Sequence, residues 1–225
     1  ANPIAITVEG SNTLTRSMII FGQGINKSHP FISDILDSID SKKKFNSLVF
    51  KLVNMNINNF VIGSSNNLEK WCKFFSLSAN ASLLLGGKLK TMEYLSGRYA
   101  DLICNIYYGF AVQWYCDQHK LPERIKEIAL KDLYYKMNLT ANELINNHPH
   151  KNLHLLLKKR HLKNNYKSIS DDDKNYLVDQ ITSKSELRKL WDEDIWYKGN
   201  AKLINDNFEN VSDEIRNKII QVNEY

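Results

Sequence analysis

A single carboxylate stands beside a glycine near the start of the chain, between two apolar segments. Glu9 and Gly10 follow the alternating apolar run 4–8 and precede a segment whose apolar spacing is helical from Leu14 onward. A carboxylate with an ordinary pKa of about 4.3 becomes a useful general base where burial raises that pKa. On composition alone, a solvent-exposed turn carboxylate is the favoured interpretation, so chemistry at Glu9 needs further support.

Two glycine pairs have the wrong context for nucleotide binding. In FGQGINK, which contains Gly22 and Gly24, Lys27 stands where a dinucleotide fingerprint needs glycine, and no βαβ unit surrounds it. In LLLGGKLK, Leu89 follows Gly87-Lys88 where a P-loop needs a hydroxyl residue for magnesium. We interpret both pairs as helix ends.

Four histidines lie close together in the sequence: His148, His150, His154 and His161. His150 and His154 could share one helix face and bind zinc or copper. No cysteine or carboxylate is interleaved with the four, so ordinary structural histidines are the favoured interpretation. We expect no metal site.

A basic amphipathic stretch at residues 151–167 contains six lysines and arginines, no acid, and interspersed leucines. Such a stretch can lie on an anionic membrane surface or contact phosphate, but a solvated helix face is the favoured interpretation. The stretch lacks the array of aromatic platforms on which nucleic-acid binders stack bases. We therefore expect no nucleic-acid partner.

The composition is that of a globular chain with few turns. Hydrophobic residues make up 43% and charged residues 24% of 225 residues, with only nine glycines and four prolines, which disfavours an all-β fold. The formal charge of +5 permits an anionic partner without requiring one. Cys72, Cys104 and Cys116 form no CxxC, so we expect free thiols in a reducing compartment.

Apolar periodicity predicts helices along most of the chain, and the expected fold is an all-α helical bundle. One helix starts at Leu14 and ends at the first glycine pair, and another starts at Pro122. Weaker helical patterns follow His148-Pro149. The apolar run 102–116 is too short to cross a membrane, so we predict a buried helix there. The other predicted helices are 31–39, 45–54, 68–85 and 92–118, with shorter ones at 153–162, 176–181, 187–196 and 215–222.

Two separated stretches resemble one protein family. ITVEGSNTLTRSMIIFGQG is similar to the late active-site segment of flavin-dependent acyl-CoA dehydrogenases, in which Glu-Gly is followed by an arginine seven positions after the glutamate. The continuation IIFGQGINKSHPF is closer to the bacterial fatty-acyl-CoA dehydrogenases that have an additional C-terminal helical region. LSANASLLLGGKLKTMEYLSGRYADLICNIYYGFAV, at residues 77–112, resembles that region.

The resemblance implies roles for four residues. Glu9 would be the catalytic base that removes a proton beside the thioester, while a hydride leaves the next carbon for FAD. The Glu9 backbone N–H would help hold the thioester oxygen, and Gly10 would let the substrate approach the backbone closely. Ser11 and Thr13 would bind the FAD. Arg16 would anchor the helix.

The resemblance also implies a division of the chain. Residues 1–40 would end the catalytic helical domain, and residues 41–225 would form the C-terminal helical extension. The family places an N-terminal helical domain and a middle β-domain before this segment. We therefore expect the chain to be a C-terminal piece of a longer protein or the product of a decayed gene, and to be inactive in isolation.

The expected function is oxidation of long-chain fatty acyl-CoA to trans-2-enoyl-CoA in fatty acid β-oxidation. The expected partners are the acyl-CoA substrate, an electron-transfer flavoprotein or similar acceptor, and further copies of the chain. The expected location is the cytoplasm, with peripheral contact to the inner membrane. The alternative is a non-enzymatic helical module for oligomerisation or membrane-surface association.

Overall fold

The structure is a computed structural model that describes residues 10–61, 66–150, 166–182 and 186–194. All secondary structure in those ranges is helical, which confirms the all-α helical bundle. The predicted pieces 153–162 and 215–222 and the alternating run 4–8 lie outside the described residues. None of the helices in the described ranges is long and apolar enough to cross a membrane.

After the helical residues 10–14, ten further helical elements follow one another along the described chain. A π-helix, Thr15–Gln23, continues directly into α1. A 3-10 helix, Leu83–Thr91, joins α4 to α5. The α-helices are α1 Gly24–Ser28, α2 Ile32–Asp37, α3 Lys42–Val61, α4 Asn67–Ser82, α5 Glu93–Gln118, α6 Glu123–Asn147, α7 Asp171–Thr182 and α8 Glu186–Asp194.

The bounds of the two long helices α5 and α6 match their predictions closely, whereas two other boundaries were wrong. The predicted burial of 102–116 is also wrong for one face of α5, where Tyr107 and Trp114 are 69% and 63% exposed. The first helix does not end at Gly22 and Gly24, because Gly24 has right-handed helical angles (φ −61°, ψ −39°) and the helix continues to Ser28. A Cβ added to Gly22 would lie 3.7 Å from Ser96 Oγ, an ordinary van der Waals contact, so the fold leaves room for a side chain at this position. Lysines 42–44, predicted as a polar joint, form the first turn of α3.

The second glycine pair does interrupt a helix, as predicted. Gly86 has φ +54° and ψ −133°, a backbone conformation that residues with a Cβ rarely adopt, and it kinks the 3-10 helix. Helix α4 accordingly ends at Ser82, three residues before the predicted end. Gly86 thus lets the chain reverse between α4 and α5.

The larger core cluster lies between α4, α5 and α6. Its centre is formed by side chains that are almost or entirely shielded from water, and burial of each large apolar side chain contributes about 1.5–3 kcal/mol. The cluster comprises Leu68, Trp71, Phe74, Leu77, Leu102, Ile106, Met137, Ala141 and Ile145. Gly109 of α5 faces the fully buried Leu68, which allows α4 and α5 to approach closely.

The second core cluster attaches the N-terminal helices to the same three long helices. It comprises Phe21, Ile32, Ala79, Leu95, Tyr99, Ala100 and Leu144. Phe21 from the π-helix and Ile32 from α2 are both buried, so neither element is held by its own hydrogen bonds alone. Tertiary burial is what stabilises these short helices.

Contacts divide the chain into two compact units, residues 1–173 and 174–225. At the end of the first unit, Ser170 and Asp173 cap each other: Asp173 N–H donates to Ser170 Oγ, and Ser170 N–H donates to Asp173 Oδ2, each at 3.1 Å. Lys131 Nζ also donates to Asp173 Oδ2, and this bond, with the Ser170 bonds, lowers the pKa of Asp173 to about 2.

In the second unit, Arg188 Nη1 donates to Ile181 O at 3.4 Å. The predicted division at residue 40 stays a prediction.

Gly109 provides a test of this packing. In Gly109→Ala, the new methyl group overlaps the side chain of Leu68, which is 0% exposed and cannot move into solvent. We expect overpacking to outweigh the helix propensity gained, with a net loss of about 1 kcal/mol in the free energy of unfolding. Urea denaturation followed by circular dichroism measures it.

Gly87→Ala is the matched control, because a Cβ at Gly87 meets nothing within 4 Å. We expect that variant to unfold within about 0.5 kcal/mol of the parent chain. Equal stability losses in the two variants would show that Leu68 does not restrict position 109.

Candidate functional site

The described residues singled out by the active-site resemblance lie on the helical turn 10–14, just before the π-helix. Gly10, Ser11 and Thr13 are helical and exposed, and a Cβ added to Gly10 would meet nothing within 4 Å. The structure therefore brings these three together on one open turn. Glu9, the proposed base, lies outside the described residues.

Arg16 holds this turn against α5. Its Nε donates to Asp101 Oδ1 at 2.7 Å, and its Nη2 donates to Asp101 Oδ2 at 2.5 Å, a two-bond pair of the strong bidentate type. Gly97 lies beneath the guanidinium, and a Cβ there would come within 2.6 Å of Arg16 Nη1. Arg16 is thus confirmed as an anchor of the helix.

An aromatic cluster secures the other end of the π-helix. Phe21 stacks on Tyr99 with ring centroids 4.2 Å apart, and Phe75 meets the edges or faces of both rings at 6.2 Å. Tyr99 is fully buried and its hydroxyl donates to Ser78 O at 2.8 Å. Burial raises the pKa of Tyr99, so the phenol remains a neutral donor.

A directed chain of hydrogen bonds follows α1. Phe31 N–H donates to His29 Nδ1 at 3.1 Å, which leaves the imidazole proton on Nε2, 2.8 Å from Asn80 Oδ1. Asn80 Nδ2 then donates to Asn56 Oδ1 at 2.8 Å, and Asn56 Nδ2 donates to Leu52 O at 3.0 Å. We call these linked groups the His29 relay. Burial lowers the pKa of His29, although the bond to Asn80 opposes the shift.

A polar cavity of about 500 Å³ opens between α2 and the start of α3. It is lined by Asp34, Ser41, Lys43, Lys44, Ser47, Leu48 and Lys51. Among the residues that the structure describes, none of those from the active-site resemblance lines it.

The described histidines are poorly suited to metal. His150 N–H donates to His148 Nδ1 at 3.1 Å, so the neutral His148 ring has its proton on Nε2 and no free lone pair there. The rings of His148 and His150 are 5.6 Å apart, and burial lowers the pKa of His148. Among the described residues, no three metal-binding side chains come together. His154 and His161 lie outside them.

The three cysteines are free thiols, as predicted. Burial raises the pKa of Cys72, Cys104 and Cys116, which keeps the thiols protonated and poorly nucleophilic. None of them is a candidate catalytic group.

Sequence reasoning missed the partners of the N-terminal segment. Asp101 and Gly97, which hold Arg16, lie within a stretch that resembles the family, but no local signal pairs them with position 16. Asn80 and Asn56 are two of many asparagines in this chain. Only the fold shows that they continue the chain of hydrogen bonds that includes His29.

A double-mutant cycle tests the Arg16 anchor. Arg16 and Asp101 are 48% and 36% exposed at the side chain, so solvent screens the pair. We expect Arg16→Ala and Asp101→Ala to show a coupling of about 0.5 kcal/mol in unfolding free energy, falling toward zero at about 1 M salt. The control cycle, Arg16→Ala with Asp132→Ala, should be additive. Additivity in the first cycle would contradict the anchor.

The His29 relay predicts a dependence of stability on pH. Because the pKa of His29 is lower in the folded chain than its ordinary 6.5, the unfolded chain binds more protons in acid. Stability should be fully present above about pH 6.5 and fall as the pH drops below it. We expect His29→Gln to flatten this fall in part, since His148 contributes in the same direction. Denaturation midpoints between acidic and neutral pH measure the effect.

Exposed His119 supplies the control, because it lies at the end of α5 outside the relay. His119→Gln measures how far the loss of a histidine outside the relay changes the pH profile. A profile that is unchanged in His29→Gln would show that the relay does not titrate.

The comparisons with known proteins identify the long helices. A family model described as acyl-CoA dehydrogenase, C-terminal, bacterial type, matches residues 63–221, which include α4, α5 and α6. No solved structure matches the chain. Because the match covers more than half of the chain, the protein belongs to the family of bacterial-type acyl-CoA dehydrogenase C-terminal domains.

Proposed function

We propose that the chain is the C-terminal part of an FAD-dependent acyl-CoA dehydrogenase that oxidises long-chain fatty acyl-CoA to trans-2-enoyl-CoA. Two independent findings support the proposal. The family model covers residues 63–221, whereas the active-site resemblance lies at residues 3–31, outside that match. Residues 3–31 and residues 63–221 would then be parts of one enzyme.

The observation that carries the proposal is the docking of the π-helix on α5. The π-helix continues from the Glu9–Thr13 segment, and α5 lies within the family match. Arg16 bonds to Asp101, and Phe21 stacks on Tyr99. The helix that follows the proposed catalytic segment in the chain is thus attached to a domain of the matching family, which supports the proposal.

The proposed chemistry divides one proton and one hydride between two acceptors. The Glu9 carboxylate takes the proton from the carbon next to the thioester carbonyl, and its backbone N–H donates to the thioester oxygen, where negative charge develops. Bound FAD would accept the hydride from the adjacent carbon and become reduced. For this the Glu9 environment must raise its pKa from about 4.3 toward neutrality, which requires exclusion of water.

The described residues of the segment fit the edge of a flavin site. The hydroxyls of Ser11 and Thr13 are exposed, and hydroxyls are suitable donors to a diphosphate. Open space around Gly10 leaves room for another molecule to approach the backbone. These side chains contribute one wall, so the proposed enzyme needs further chain to enclose the substrate.

The proposal extends to partners that supply or accept electrons. The proposed electron acceptor of the enzyme is an electron-transfer flavoprotein or a similar protein in the cytoplasm, beside the inner membrane. The 225-residue chain alone would be inactive, because a carboxylate without flavin or an enclosed cleft lacks both the hydride acceptor and the raised pKa.

Glu9→Gln in the protein expressed from its whole reading frame tests the assignment. The amide keeps the size of the side chain but cannot take up the proton, so we expect turnover of palmitoyl-CoA to fall by about 10²–10⁴-fold. The flavin absorbance of the purified protein should stay unchanged, because Glu9 is not proposed to hold FAD.

Lys27→Gln, an exposed position on α1, is the control and should keep full turnover. Turnover in Glu9→Gln equal to that of the parent would remove Glu9 from the mechanism. Absence of flavin from the parent protein would contradict the proposed function as a whole.

A further inference from the structure

Three lysines line the polar cavity between α2 and α3 without a carboxylate partner. They are Lys43, Lys44 and Lys51, and we call them the lysine cluster. Among the described residues, no carboxylate lies within ion-pair distance of the lysine cluster. Other described lysines do form such pairs, namely Lys73, Lys126, Lys131, Lys136 and Lys189.

The lysine cluster lies on one face of α3. Lys43, Ser47 and Lys51 are spaced by four residues, and Lys44 precedes Lys51 by seven, so these side chains occupy neighbouring positions over two helical turns. This part of the helix is about 12 Å long at about 1.5 Å per residue. Leu48, on the same face, is 8% exposed, so the face is attached to the protein.

The turn that joins α2 to α3 holds the other wall of the cavity in place. Ser38 is 1% exposed, its hydroxyl donates to Ile35 O at 3.0 Å, and Ser41 N–H donates to Ser38 O at 2.9 Å. Phe45 N–H then donates to Ser41 O at 2.9 Å. These bonds connect α2, which carries Asp34, to the first turn of α3. The two walls of the cavity are thus part of the fold.

The charge and volume of the cavity suit a ligand that carries phosphate. The three lysines and Asp34 give the described lining a net charge of +2, and a phosphate monoester carries about −1.5 to −2 near pH 7. The hydroxyls of Ser41 and Ser47 add neutral donors. The volume of about 500 Å³ is typical of small-molecule sites, at about 300–1,000 Å³, and exceeds the needs of a single phosphate ion.

The positive charge of this region costs stability when no anion is bound. The first turn of α3 contains no acidic residue and consists of Lys42, Lys43 and Lys44. Carboxylates stabilise this end of a helix and lysines do not, because the helix dipole is positive there. Repulsion among the lysines adds to the cost. A bound anion would offset both effects, so its binding should stabilise the folded chain.

We propose that the lysine cluster binds the phosphate groups of a ligand, supplied either by a soluble phosphorylated compound or by a lipid headgroup. Lys43 and Lys44 lie at one end of the cluster and Lys51 two turns further along, so they can bond to different phosphate oxygens of one ligand. Asp34 repels the anion and weakens its binding. The proposed site does not depend on the chemistry proposed for Glu9.

Isothermal titration calorimetry of the 225-residue chain with pyrophosphate, in about 50 mM salt, tests the proposal. We expect saturable binding at submillimolar concentration. Lys43→Gln, Lys44→Gln and Lys51→Gln should each weaken it at least about fivefold, the effect of one exposed charge pair in water. Asp34→Asn should bind pyrophosphate at least as tightly as the parent chain does.

Thermal denaturation of the same variants gives a second readout. Pyrophosphate should raise the denaturation midpoint of the parent chain, because it binds the folded state. Without pyrophosphate, Lys44→Gln should denature at a higher temperature than the parent chain, since it removes a repulsive charge. With pyrophosphate, the rise in its midpoint should be smaller than in the parent chain.

Lys42→Gln is the matched control, because Lys42 is an exposed lysine of the same helical turn that does not line the cavity. It removes the same charge and should weaken pyrophosphate binding less than about twofold, since solvent screens a charge outside the cavity. Equal losses in Lys42→Gln and Lys44→Gln would reveal a diffuse basic surface and overturn the proposal.

Flotation with phosphatidylcholine vesicles that contain phosphatidic acid distinguishes the two sources of phosphate. For a lipid headgroup, we expect the parent chain to float, pyrophosphate to displace it, and Lys44→Gln to float less. For a soluble ligand, the chain should bind pyrophosphate without floating. A chain that does not bind pyrophosphate, and whose flotation Lys44→Gln leaves unchanged or which does not float, would contradict the proposal.

Discussion

The attachment of the π-helix to α5 is the constraint on which the N-terminal half of this fold depends. The attachment has two parts with different physics. At one end the Arg16 guanidinium pairs with Asp101 above Gly97, and at the other end Phe21 is buried against Tyr99. The ion pair is half-exposed, so it contributes little free energy and mainly fixes the orientation of the π-helix on α5. The aromatic contact contributes most of the stabilisation.

The π-helical geometry explains how one short helix presents both groups to α5. Arg16 and Phe21 are five residues apart, and an α-helix would turn them about 140° away from each other. A π-helix forms its hydrogen bonds between residues five apart, so such residues lie near the same face. The wider turn therefore brings both anchors to a single partner helix. The exposed turn of Gly10, Ser11 and Thr13 then projects from a fixed base.

Helices with a long, regular apolar pattern could be predicted from the sequence. Helix ends and side-chain partners that depend on contacts distant in the sequence could not. The regular apolar period of α5 was sufficient to predict its bounds within one residue, and Pro122 marked the start of α6. The glycines at 22 and 24 were interpreted as a helix end, but both lie inside a helix that packs against α5, and the right-handed angles of Gly24 continue that helix to Ser28. Lysines 42–44 form the exposed first turn of α3, ahead of its buried residue Leu48.

The candidate site shows the same limit. A family likeness suggested Glu9, Gly10, Ser11 and Thr13, and no property of the residues themselves would have selected them. The pairing of Arg16 with Asp101 spans 85 positions, so it depends on the whole bundle and not on any nearby motif. The anchoring role of Arg16 could be anticipated, whereas its partner could not.

The His29 relay has a polarity that the shapes of its members do not reveal. The side chains of His29, Asn80 and Asn56 each accept one hydrogen bond and donate the next. The series runs from the Phe31 backbone N–H to the Leu52 carbonyl. An aspartate has nearly the outline of an asparagine, yet at position 80 or 56 it would set two lone-pair oxygens against each other. The His29 relay therefore discriminates between two side chains that packing alone would treat as equals.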